Sequence, residues 1–110
     1  MTIFVTNVTF LDSVEVVKIS TNVSVDVGED VTLSCETTGY PPPFITWLRN
    51  FEPLYHNPRY SLVSYYGYGV LTVHEAQASD AGLYSCVVVT GLHGSTVVQP
   101  AISLTVNQRK

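Results

Sequence analysis

Charge is what this chain has least of. Only 13% of its 110 residues are Asp, Glu, Lys or Arg, about half of the roughly 25% usual in soluble domains. The basic residues Lys18, Arg49, Arg59, Arg109 and Lys110 are scattered along the chain. With no basic stripe, neither nucleic acid nor heparin is expected as a partner. No run approaches the ~20 apolar residues that span a bilayer, so direct membrane insertion is not expected. The N-terminus lacks a basic region followed by a cleavable apolar run, so no signal peptide is read there. A secreted parent would carry its leader elsewhere, and the chain reads as an excised fragment whose Met1 is added or internal. Cysteine is limited to Cys35 and Cys86. Two cysteines form one bridge or stay reduced, and the pair alone does not decide the compartment. Helical periodicity, internal repeats and low-complexity tracts are missing as well.

What is present is alternation. Apolar residues make up 45% of the chain, enough for a core, and the length suits one domain. The formal net charge is -4 and the isoelectric point about 5.1. Period-two patterning and frequent β-branched residues predict strands at 14–20, 23–27, 31–35, 45–49, 60–64, 70–74, 83–90 and 96–106. Within them Val31, Leu33 and Cys35 share a face, as do Ile45 and Trp47, and Leu71 and Val73. Pro41, Pro42 and Pro43 cannot donate ladder hydrogen bonds and mark a loop. The segment 50–58 is irregular, 65–69 and 79–82 are turns, and 91–94 is a tight hairpin. Residues 1–12 are surplus: a linker, the end of a preceding module or an extra edge strand. Short strands with a turn about every ten residues indicate an all-β sandwich or barrel, and periodicity does not choose between them.

The order Cys35, Trp47, Tyr84-Ser85-Cys86 does choose. It stands with Gly28-Glu29-Asp30-Val31-Thr32-Leu33-Ser34-Cys35, with Leu71-Thr72-Val73 through Ala76, and with Ser79-Asp80-Ala81-Gly82-Leu83. Over residues 14–106 these motifs resemble the immunoglobulin superfamily. Each is weak alone; together they are specific. The resemblance implies a two-sheet antiparallel sandwich of about seven to eight strands with Greek-key connections. It implies a Cys35–Cys86 bridge across the core with Trp47 packed on it, and a Tyr84 hydroxyl returning to backbone near Asp80. In this family a basic residue opening the strand that here is expected at 60–64 pairs with the turn aspartate, and Arg59 and Asp80 occupy those positions. The cysteine spacing and Gly39-Tyr40-Pro41-Pro42-Pro43 look like the I-set. Length and the lack of a Gly-x-Gly bulge near the C-terminus speak against a variable domain. The implied boundaries are 1–12 linker or end of a preceding module, 13–107 I-set domain, and 108–110 tail.

Two sequons, Asn7-Val8-Thr9 and Asn22-Val23-Ser24, predict N-glycosylation of a secreted parent; chance is the plain alternative in a chain rich in Ser, Thr and Asn. His56, His74 and His93 show no metal-ligand spacing. His93-Gly94-Ser95 lacks the nucleophile elbow of a hydrolase and reads as a hairpin. Tyr65, Tyr66 and Tyr68 beside Gly67 and Gly69 have the chemistry of a binding loop, though a solvated turn explains them as well. With Trp47 and Cys86 inward, Leu48, Val87 and Val89 point outward on the sheet of the strands expected at 45–49, 83–90 and 96–106, which in this superfamily often mediates adhesion. They form a candidate protein interface bordered by Tyr55, although valine also simply suits strands. No cofactor, metal or small-molecule substrate is expected. The function read from these features is a non-enzymatic extracellular recognition or spacer module of a multidomain cell-adhesion, guidance-receptor or extracellular-matrix protein. Its partner would be a protein or a neighbouring module. The alternative is an intracellular muscle-type I-set module that bears force.

Overall fold

Alternation along the chain resolves into ten short strands among residues 14–91 and 94–108, the residues described by a computed structural model. They are β1 (Glu15–Ile19), β2 (Val23–Asp26), β3 (Val31–Thr38), β4 (Phe44–Arg49), β5 (Glu52–Pro53), β6 (Tyr60–Tyr65), β7 (Tyr68–Val73), β8 (Gly82–Thr90), β9 (Gly94–Val97) and β10 (Ile102–Asn107). Four strands build one sheet in the order β1-β3-β7-β6. The other six build the second, in the order β2-β10-β8-β4-β5 with β9 also beside β8. The sheets face each other as an immunoglobulin-like sandwich.

Two details differ from a plain antiparallel sandwich of seven or eight strands. First, β2 pairs with β10 in parallel, in the register Leu104↔Val23 through Asn107↔Asp26. The cause lies in the preceding turn. At the end of β1 the chain leaves its pairing with β3 after Ile19 and joins the other sheet at Val23 without reversing direction. A segment antiparallel to β3 therefore lies parallel to β10. Ser20 anchors the crossing: its N–H donates to the Ser34 carbonyl at 3.0 Å, and its hydroxyl accepts the Ser34 N–H at 2.7 Å. Second, the closing strand is broken into β9 and β10. The Val98 N–H still reaches the Cys86 carbonyl at 2.8 Å, but Pro100 has no N–H to continue the ladder.

The inward positions follow the period of two. Val31, Leu33 and Cys35 of β3 and Leu71 and Val73 of β7 are buried against Ile45 and Trp47 of β4, Tyr84, Cys86 and Val88 of β8, and Ile102 and Leu104 of β10. One inward position has no side chain. Gly69 of β7 pairs with Cys35, and a Cβ on it would lie 2.2 Å from the Ile45 Cγ2 of the opposite sheet. Glycine is what lets the two sheets approach at that point.

Candidate functional site

The closest polar constellation surrounds Asp80, the last residue of a 3-10 turn (Ala78–Asp80) that leads into β8. Its side chain is buried, 1% exposed. Arg59 Nη2 donates to its Oδ2 at 2.5 Å. The Tyr60 hydroxyl donates to Oδ1 at 2.5 Å, and the Gln77 N–H donates to Oδ2 at 2.8 Å. Arg49 Nη1 stands 3.9 Å from Oδ1 and donates to the Tyr60 hydroxyl at 2.9 Å. Tyr84, two positions before Cys86, donates its own hydroxyl to the Asp80 carbonyl at 2.5 Å. Burial by itself would push the Asp80 carboxyl up. The hydrogen bonds from Arg59, Tyr60 and Gln77 outweigh it and hold the group below the usual carboxylate range. Burial pushes the Tyr84 phenol up, and burial followed by the bond to Asp80 does the same for Tyr60. Both carboxylate oxygens are occupied by donors, so this arrangement ties the starts of β6 and β8 together rather than offering a free base.

Removing one of these bonds measures its share. Tyr84→Phe should lower stability by about 1 kcal/mol, the net value of one intramolecular hydrogen bond. The denaturant midpoint checks it at constant slope; an unchanged midpoint would show that the hydroxyl bond contributes nothing. Sequence reasoning did not find Tyr60 and Arg49 as members of this cluster. Nothing in their spacing announces it, because the cluster forms only when β4 and β6 face each other across the sandwich.

At the centre of the core Cys35 and Cys86 are joined, with an S–S distance of 2.05 Å and a Cα–Cα distance of 6.3 Å. Trp47 lies directly across from Cys86 in the β4–β8 register. Its indole is buried and Nε1 meets no hydrogen-bond acceptor among the described residues, so the ring serves as filler.

The outer face of the six-stranded sheet carries the residues expected as an interface, with one correction. Alternation from Ile45 and Trp47 turns Phe44, Thr46 and Leu48 outward, and alternation from Cys86 and Val88 turns Val87 and Val89 outward. Val87 is nonetheless only 6% exposed, and Leu48 and Val89 are half-buried. The reason is lateral: Val87 is flanked by Thr46 of β4 and by Val97 of β9. Val87 therefore forms the floor of the face and not its contact surface. The accessible apolar residues are Phe44, 59% exposed, and Val97, 38% exposed. Phe44 pairs with Val89 and Val97 with Val87, so the four make one contiguous patch. Phe44 was open to discovery by the same alternation that identifies Leu48. Val97 was not, since its face depends on the β8–β9 register. Tyr55 is exposed, and its carbonyl accepts from Asn57 Nδ2 at 2.9 Å.

Elsewhere Tyr65, Tyr66 and Tyr68 are exposed at the β6–β7 turn, the first two in edge-to-face contact at 4.5 Å. His56 accepts the Leu62 N–H at its Nδ1, 3.2 Å away, and His74 Nδ1 lies 3.8 Å from Asp30. His93 and the sequon at Asn7 lie outside the described residues. Asn22 is exposed at the start of β2. Among the described residues no group of three His, Cys, Asp or Glu is placed to hold a metal ion.

A family model described as immunoglobulin domain matches residues 15–89. Among curated proteins, the chain is similar to the basement membrane proteoglycan of Caenorhabditis elegans, 41% identical over 66 residues, which is 60% of this chain and 2% of that protein. It is 42% identical over 62 residues to contactin-5 of Danio rerio, covering 56% of this chain and 6% of that protein. To hemicentin-1 of Mus musculus it is 34% identical over 86 residues, covering 78% of this chain and 1% of that protein. The chain thus spans only 1% to 6% of the length of these relatives. Among solved structures, the N-terminal two-domain module of the Drosophila receptor protein tyrosine phosphatase DLAR superposes with a TM-score of 0.78 at 25% identity, over 88% of this chain and 50% of that one. A complex of titin with obscurin-like 1 gives 0.77 at 25% identity, over 88% of this chain and 96% of that one. A bridged Cys35–Cys86 pair with Trp47 across from it, a Tyr84 hydroxyl returned to the Asp80 backbone, and a family match over most of its length place this chain in the immunoglobulin domain family.

Proposed function

We propose that the chain is an extracellular recognition or spacer module, of the I-set type, within a multidomain adhesion, guidance-receptor or matrix protein, and that it acts by binding or spacing rather than by catalysis. The domain would run over 13–107, with 1–12 as linker or end of a preceding module and 108–110 as tail. The carrying observation is the closed Cys35–Cys86 bond in the buried core. Such bonds persist in oxidising compartments and are rare in the cytosol. The names of the relatives support the same reading. Identity is 41% to a protein called a basement membrane proteoglycan, against 25% to the titin complex. The test is the thiol state of the natural parent protein, trapped with an alkylating reagent under denaturing, non-reducing conditions. Cys35 and Cys86 are expected to resist labelling. Labelling of both would support the intracellular, force-bearing reading instead.

Where the module touches a protein partner through a sheet face, we place the contact on the outer face of β4, β8 and β9. The residues there are Phe44, Leu48, Val89 and Val97 over the buried Val87, with Tyr55 as a bordering candidate. Burying such a patch contributes a few kcal/mol at about 25 cal/mol per Å² before the costs of association. Val89→Arg sets a charge in the middle of the patch beside Phe44. It should reduce binding or self-association at least ~10-fold, equivalent to about 1.4 kcal/mol, while the fold is retained. Undiminished association by a folded variant would remove this face from consideration.

A further inference from the structure

We infer that Asn22 is an N-glycosylation site whose sugar projects from the β2 edge of the six-stranded sheet. The inference rests on the extracellular reading, because the modification belongs to the secretory pathway.

The sequon Asn22-Val23-Ser24 stands at the start of β2 (Val23–Asp26), the outermost strand of its sheet. Val23 and Val25 pack against the core, so the period of two turns Asn22 and Ser24 to the outside. Both are exposed. The Asn22 side chain is also oriented. Its Oδ1 accepts the Ser103 N–H of β10 at 2.9 Å, while its Nδ2 has no hydrogen-bond partner among the described residues. The atom that a glycan needs is therefore the one left in solvent.

The chemistry is compatible with this geometry. Transfer joins Nδ2 to the anomeric carbon of an oligosaccharide carried on a lipid diphosphate. The bond from that carbon to the phosphate oxygen breaks, the diphosphate leaves with the electron pair, and the amide loses one proton. The product amide keeps its carbonyl oxygen and one N–H, so the Ser103 bond survives the modification. The surroundings suit a sugar. The outward residues of β10 are Ser103, Thr105 and Asn107, and Asn107 Nδ2 donates to the Ser24 hydroxyl at 2.9 Å. A shallow groove bordered by Lys18, Ser20, Thr32 and Ser34 opens beside Asn22 and gives the first ring room against the protein. Phe44 lies on β4, beyond β8 as seen from β2, and Val97 lies on β9, which pairs with the Val87–Thr90 end of β8, whereas Ser103 beside Asn22 pairs with Leu83 near the other end.

The experiment is to express the chain behind a secretory leader in eukaryotic cells and to read its peptides by mass spectrometry before and after peptide N-glycosidase. The peptide bearing Asn22 is expected to carry hexosamine-rich mass in most molecules and, after enzymatic release, to show aspartate in place of Asn22. Asn7→Gln should keep this modification. Ser24→Ala should abolish it while leaving the Asn22–Ser103 bond available, and Ser24→Thr should restore it. The glycan is added on entry to the pathway, so chain retained inside the cell is read by the same peptide. An unmodified Asn22 in chain whose Cys35–Cys86 bond has formed overturns the site and leaves the extracellular reading standing. Free thiols in the natural parent would instead remove the extracellular reading, whatever the engineered secretion shows at Asn22.

Discussion

Cys35→Ala combined with Cys86→Ala is expected to destabilise the domain by about 4 kcal/mol. The bond joins positions 51 apart in sequence, and a loop of that size restricts the unfolded chain by about this amount in the chain-entropy model. The net stability of a small domain is roughly 5–15 kcal/mol, so the loss removes a large share of it. Both cysteines are 0% exposed, which adds a kinetic consequence. A reductant reaches the sulfurs only when the sandwich opens, so reduction under native conditions should track unfolding. Denaturant curves of the oxidised chain and the double variant measure the first effect. Thiol release against denaturant concentration measures the second. A double variant whose midpoint matches the parent would show that the bond contributes nothing, and reduction independent of denaturant would show that the core admits reagent without unfolding.

Asp80→Ala should cost about 2–4 kcal/mol. Loss of one partner from a buried ion pair commonly costs about 3–5 kcal/mol because the other charge is stranded. Here Arg59 stays 36% exposed and can turn to water, which reduces the penalty. The Tyr60 hydroxyl, on a residue only 8% exposed, has no such escape, whereas Gln77 is exposed, so the lost Tyr60 bond counts most. At about 4–8 °C per kcal/mol for a domain of this size, the melting temperature should fall by about 8–32 °C. The pH dependence has a definite sign. The folded carboxyl is held below its ordinary value of 3.8. Its contribution is complete above that value and is lost as pH falls toward and through the lower folded one. The stability gap between the parent and Asp80→Asn should therefore narrow as the solution is acidified below about pH 4. A gap that stays constant with pH would mean that the charge of Asp80 is not what the cluster uses.

The sandwich was legible because two independent signals agreed. Alternation assigned Val31, Leu33, Ile45, Trp47, Leu71 and Val73 to the interior, and all are buried. The Cys35, Trp47, Tyr84, Cys86 order then excluded a barrel. What alternation gives is direction, and direction is not exposure. Val87 points outward and is still closed over, because exposure on a sheet face depends on the neighbours supplied by adjacent strands. That information sits in the registers of β4 and β9, which no local pattern in β8 reveals. The same limit hid Tyr60 and Arg49, whose meeting with Asp80 joins three separate stretches of chain. The break between β9 and β10 had a local signal in Pro100. The change of sheet between β1 and β2 had a weaker one in Ser20-Thr21-Asn22, where alternation lapses without a glycine or proline to mark it.

The parallel pairing of β2 with β10 also decides which bonds a pull on the two ends would load. β1 begins beside Thr38 and β2 ends beside Asn107, where β10 also ends. The polypeptide therefore comes in at one pole of the sandwich and goes out at the other. Copies joined end to end would extend in line, each adding its long dimension to the reach of the string. A pull on the two ends acts along β2 and β10 in opposite senses and loads their ladder in shear. The bonds between them, including Val27 N–H to the Asn107 carbonyl at 2.9 Å, then bear the load together instead of parting one at a time.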